Sequence, residues 1–145
     1  MWWVPQAALY FLGKRVKTVH SKRIASEVDR GDLLMFMLYV ASSDSRQTGE
    51  TVKSLVEASL ERGHKVVVFF NDESVRLVRA GGDPSLGGFP SRGVRLVVCQ
   101  TSAALSGLSS QGAFSEGVEV STLGALIEFM DDADRVLFVG GEGIW

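Results

Sequence analysis

Apolar and polar positions change their period several times along the chain. From Leu33 to Val40, "LLMFMLYV" is apolar without a break over a strand's length. Unbroken rather than alternating apolarity suits a strand buried on both faces of a sheet. The turn-rich "ASSDSRQTGE" ends it. The period then lengthens: in "TVKSLVEASLERG", Val52, Leu55, Val56, Ser59 and Leu60 fall on one helix face, and Gly63 stands where a helix C-terminus favours glycine. "KVVVFF", residues 65–70, is a second buried strand. "NDESVRLVRAGG" opens with capping residues and ends in glycines, which predicts a short helix.

Five glycines and two prolines between Gly81 and Gly93 predict a loop. "VRLVV" is a third strand, followed by Cys99 and a short helix-like piece. "VEVS" is a short strand candidate. "STLGALIEFMDDA" reads as a helix with Ser121 as N-cap and Leu123, Leu126, Ile127 and Met130 on one side. "DRVLFVG" closes the pattern as a last strand.

Strands alternating with helices at these spacings predict a parallel sheet covered on both faces by right-handed crossovers. The expected architecture is an α/β/α three-layer sandwich with a mainly parallel sheet of about five strands, over residues 32–145. Residues 1–31 stand apart as an N-terminal extension, helical or flexible. There "GKRVKTVHSKR" carries five basic residues and His20, after an apolar patch with Trp2 and Trp3. It reads either as a solvated extension or added helix, or as a helix that meets a membrane surface or a partner.

A chain of 145 residues, 46% hydrophobic and 22% charged, holds one globular domain with a sizeable core. A net charge of -2 argues against nucleic-acid binding, which needs a basic face. With one cysteine there is no internal disulfide, so a reducing compartment, the cytoplasm, is the expected setting. No apolar stretch reaches the roughly 20 residues of a membrane span. At the N-terminus the positive charges follow the apolar part instead of preceding it, unlike a secretion signal.

In open parallel sheets, ligands gather at the carboxyl ends of the strands. Cys99 lies at such an end. At a strand-to-helix junction it would meet free backbone N–H groups and the positive end of a helix dipole, both of which favour thiolate, the nucleophilic form. Thr101, Ser102, Ala103 and Ala104 are small enough to leave room for a partner or an extra sulfur. Free cysteines are also among the most buried and inert residues, and position alone leaves both readings open. A cysteine hydrolase needs a histidine base. His64 follows a helix and precedes a strand, at the opposite sheet edge from Cys99, and is expected as a surface or loop residue; His20 lies in the extension. Without a second cysteine there is no thioredoxin-like resolution, and one cysteine with scattered carboxylates makes no metal site. "SSDSRQTGET" precedes a helix and could hold an anion, but it has no Walker A spacing, and capping by Ser45 or Thr48 explains it.

The residues "VRLVVCQTSAALSGL", followed after a loop by "VEVSTLGALIEFMDDADRVLFVG", resemble the DsrE/DsrF-like family, which includes TusD-type sulfur relay subunits. The likeness rests on Cys99 at a strand end, Ala103, Ala104 and Gly107 after it, the helix from Ser121, and Asp134-Arg135-Val136 with Gly140. "ERGHKVVVFF" extends it, so that it spans about residues 32–140. Ser106 stands where many relay members carry a basic residue, and residues 81–93 stand where the family has a helical region. The resemblance implies a five-stranded α/β domain that assembles as a homo-oligomer (trimer or hexamer) or with related subunits. It implies a persulfide on Cys99, received from a sulfur donor protein and passed to an acceptor, with no metal and no organic cofactor. Backbone N–H groups near Gln100, Thr101 and Ser102 would hold the anionic sulfur, and Ser42 and Ser43, placed at the end of a neighbouring strand, would line the same pocket. The competing reading is a non-catalytic oligomeric scaffold or small-ligand binder with a buried, silent Cys99. Trp145, Phe89 and Phe114 are expected as exposed apolar residues that favour oligomerisation.

Overall fold

A computed structural model of the protein describes residues 34–140 and 143–144; the expected extension over residues 1–31 and the side chain of Trp145 lie outside them. In chain order the elements are β1 (Phe36–Ala41), α1 (Arg46–Glu61), β2 (Lys65–Phe70), a 3-10 segment (Asp72–Val78), α2 (Pro84–Gly87) and a second 3-10 segment (Phe89–Arg92). Then follow β3 (Arg95–Cys99), α3 (Gln100–Leu105), β4 (Glu119–Ser121), α4 (Leu123–Asp132), β5 (Arg135–Gly140) and β6 (Gly143–Ile144).

The sheet runs β4-β3-β2-β1-β5-β6. Five strands are parallel, as expected, and β6 adds a short antiparallel pair on β5. The order explains the layers. From β1 to β4 each step moves the same way across the sheet, so right-handed crossovers put every intervening helix on one face. The return from β4 to β5 moves the other way and carries α4 to the opposite face.

Alternate residues of each strand feed two cores. Tyr39, Ala41, Val66, Val68, Phe70, Leu96 and Val98 pack against Val52 and Val56 of α1, with Val75, Val78, Leu86 and Phe89. Leu38, Val40, Val67, Phe69, Val97 and Cys99 pack against Leu126 of α4. Continuous apolar strands are thus a consequence of two covered faces.

Helix ends follow the sequence signals in α1: Ser45 caps it by accepting the Thr48 N–H, and Gly63 adopts φ 79 just beyond it. Three expectations need correction. Residues 81–93 are not a loop: Asp83 caps the Ser85 N–H, Pro84 opens α2, and Leu86 and Phe89 are driven into the core. Phe89 is therefore buried and Phe114 half-buried against the same core, so neither is an exposed apolar residue. The N-cap of α4 is Thr122, not Ser121, because Ser121 is still paired as the last residue of β4.

Candidate functional site at the carboxyl edge of the sheet

Cys99 is the last residue of β3 and the N-cap of α3, with φ -73 and ψ 125. Its side chain makes no capping hydrogen bond. Strand alternation turns it to the α4 face beside Val97, where it is 2% exposed within the apolar cluster of Phe69 and Leu126. The expected position at the sheet's carboxyl edge holds, and the thiol is buried there. α3 has six residues, too few to sum a full helix dipole, so charge stabilisation at its start rests on the nearest N–H groups.

The strand order decides which residues surround the thiol. β4 is one neighbour, with Ser121 the direct register partner of Cys99; aligned residues of adjacent strands point to the same face. β2 is the other, and Asn71 follows its last paired residue, Phe70, which lies opposite Val98. Ser102 ties α3 to that strand end: its hydroxyl donates to Asn71 Oδ1 at 3.0 Å and accepts the Asp72 N–H at 2.9 Å. Asp72 holds φ 52, the left-handed region, to present that N–H. Gln100 and Thr101 are exposed in the first turn of α3, while Ser102 and Ala103 are buried.

Ser42 and Ser43 do not join the thiol. They follow β1, and β2 stands between β1 and β3, so they lie two strand spacings away, about 10 Å. Ser42 donates its N–H to the Val139 carbonyl, and Ser43 Oγ accepts the Ser45 N–H. That loop serves the β1–β5 junction, where Thr48 also donates to the Gly140 carbonyl. The reason for the misplacement is plain: consecutive order along the chain does not reveal which strand is central. Asn71 and Ser121 took their place, and only the β2–β3 and β3–β4 pairings identify them.

His64 does lie at the opposite edge from Cys99, but it is not a surface residue: it is 8% exposed, and its Nδ1 accepts the Met35 N–H at 3.1 Å. A cleft of about 480 Å³ lies along the outer side of α1, on the far face of the sheet from Cys99. Two of its three carboxylates are paired, Glu50 with Lys53 and Glu57 with Arg92, and hydrogen bonding from Arg92 holds the Glu57 carboxyl below its ordinary range. Among the described residues no group of three His, Cys, Asp or Glu comes together as a metal site, and no helix is long and apolar enough to cross a membrane.

At the start of β3, Arg95 hydrogen bonds both carboxylate oxygens of Glu119 on β4, at 2.9 and 2.7 Å, and lies 5.1 Å from the Phe129 ring of α4. The guanidinium bonds lower the Glu119 carboxyl below its usual range. This brace fixes the short edge strand that carries Ser121.

Residues 35–139 match the model of the DsrE/DsrF-like family. No curated protein matches the chain by sequence. Among solved structures, the chain is similar to MTH1491, a protein of unknown function from Methanobacterium thermoautotrophicum, with 16% identity and a TM-score of 0.65. That similarity covers 71% of this chain and 97% of that one. It is also similar to the ychN protein from E. coli, with 20% identity and a TM-score of 0.59, over 72% of this chain and 98% of that one. At such identities these likenesses speak for the fold.

Proposed function

The chain belongs to the DsrE/DsrF-like family, and from that premise we propose that it carries sulfane sulfur on Cys99. The family is associated with sulfur relay, and the observation that carries the reading is the position of the chain's single thiol, at the carboxyl end of β3 where the strand passes into α3. The Cys99 thiolate attacks the outer sulfur of a donor persulfide, forming Cys99–S–SH and releasing the donor thiolate. An acceptor thiolate then attacks the outer sulfur of Cys99–S–SH, and Cys99 departs as thiolate. Atoms and electrons balance in both steps without metal or organic cofactor. Donor and acceptor proteins, a cytoplasmic setting and assembly as a homo-oligomer or with related subunits belong to this reading.

Burial of Cys99 at 2% exposure gives the relay a condition: the sulfur is shielded at rest on the α4 face, so α4 or the β3–α3 junction must move for transfer. The same burial favours a second reading, a scaffold with a silent cysteine. Intact mass after incubation with a sulfane sulfur donor separates them. A gain of one sulfur that is lost on reduction and absent in Cys99→Ser supports the relay. A native protein that stays unmodified, with a thiol reactive only after denaturation, leaves the scaffold.

A further inference from the structure

The face of α4 that the sequence assigned to the core is only partly used. Leu126 is buried, with Phe129 and Ala133 packed beside it. Leu123, Ile127 and Met130, which the apolar pattern groups with Leu126, are 50%, 67% and 40% exposed. Spaced by four and three residues, they form one stripe along the helix. Arg95 over Phe129 marks the side of α4 that looks toward β3 and β4. The stripe lies roughly 100° or more around the helix from Phe129, so it opens toward the β1–β5 side of the same face. Phe138, in strand alternation with Val136 of that face, is also 39% exposed there.

Charge says what covers it. α4 contains no Lys or Arg; Asp131 borders the stripe one turn after Ile127, Glu128 lies next to it further round, and Asp132 falls on the Phe129 side, all three exposed. None of the three has an ion-pair partner among the described residues. The nearby cations are engaged, Arg95 by Glu119 and Arg135 by the Asp134 carbonyl. A membrane surface rich in anionic lipid is repelled by this margin. Two copies meeting symmetrically through α4 would bring no basic residue of that helix to these carboxylates. We propose that α4 is a docking surface for a basic amphipathic helix of a partner protein, whose apolar residues cover Leu123, Ile127 and Met130 and whose Lys or Arg side chains meet Asp131 and Glu128. This is recognition of helix by helix, and it is independent of sulfur chemistry at Cys99.

The test is fluorescence anisotropy on the full chain, with a labelled synthetic helical peptide carrying leucines at i, i+4 and i+7 flanked by lysines. Its twin has every flanking lysine replaced by glutamate. Binding of the first peptide is expected, with the twin about tenfold weaker or worse, and Ile127→Ser about tenfold weaker for the first peptide. Asp131→Lys keeps the stripe and is expected to lose severalfold affinity, a loss that salt also produces. Equal binding of the two peptides, or no effect of Ile127→Ser in a chain with unchanged melting, overturns the proposal. So do absence of peptide binding with self-association that Ile127→Ser abolishes in sedimentation velocity, which assigns the face to a second copy, and Ile127-dependent cosedimentation with vesicles of anionic phospholipid, which assigns it to lipid.

Discussion

Replacing Ser102 by alanine isolates the clasp between α3 and the end of β2. The hydroxyl is 7% exposed and makes two hydrogen bonds, to Asn71 Oδ1 and from the Asp72 N–H. Each bond contributes about 0.5–1.5 kcal/mol net, and Asp72 is exposed enough for water to replace part of the loss, so the substitution costs about 1–2 kcal/mol. Cys99 is the N-cap of α3; if release of the clasp frees the β3–α3 junction and draws the thiol out of the α4 face, that cost falls on the closed state and raises the opening equilibrium roughly 5- to 30-fold. Alkylation of the native thiol, followed by intact mass in the absence of denaturant, should accelerate by that factor in Ser102→Ala. Ser106→Ala, at the other end of α3 and outside the clasp, serves as control and should leave the rate unchanged. Equal rates for Ser102→Ala and the unmodified chain would refute the reasoning, as would an acceleration that only tracks the global stability measured in urea. In the first case Cys99 would reach solvent by a route that leaves the clasp intact, and in the second only by global unfolding.

The remaining predictions concern the frame that holds this edge. A methyl group on Gly117 would come within 2.7 Å of Pro90 Cβ at φ +90, while one on Gly107 at φ +76 meets open space. Gly107→Ala should cost about 1–2 kcal/mol for left-handed backbone alone, and Gly117→Ala at least about 1 kcal/mol more, in urea denaturation; equal costs would mean that the loop relaxes freely. Because the folded Glu119 carboxyl is lowered by Arg95, the pair's share of stability is present above the ordinary Glu range and drains away as pH falls through the lowered folded value. Glu119→Gln should therefore destabilise by less than about 1 kcal/mol at neutral pH, since both partners are nearly half exposed, and by progressively less toward acid. A difference that persists unchanged to low pH in thermal melts would show that packing on Phe129, not charge, fixes β4.

The sheet and its helices were legible because continuous apolar strands and an amphipathic α1 leave strong periodic signals. The edge position of Cys99 followed from the same pattern. What surrounds the thiol was not legible. β1 precedes the other strands in the chain but sits at the middle of the sheet, so chain order alone puts Ser42 and Ser43 beside Cys99 and does not point to Asn71 and Ser121. Composition misled at residues 81–93, where glycines mask a capped turn whose Leu86 and Phe89 reach the core. The pattern of α4 misled in the other direction. A stripe of four apolar residues is the same in sequence whether a core or a partner covers it, and only Leu126 proved to be core.

The central place of β1 also governs how the chain can be assembled over time. One flank of β1 is met early, by β2. The other waits for β5, and Phe36 and Asp134, hydrogen-bonded across that junction, are 98 residues apart. As the ribosome delivers the chain from its N-terminus, the first four strands can pair while β1 still shows an open edge of apolar backbone, the kind of edge that recruits strands from other chains. Closing so long a span adds little entropy beyond that of a moderate loop, but it does put the closure last. The interval before β5 emerges is therefore when this protein most needs protection from its neighbours.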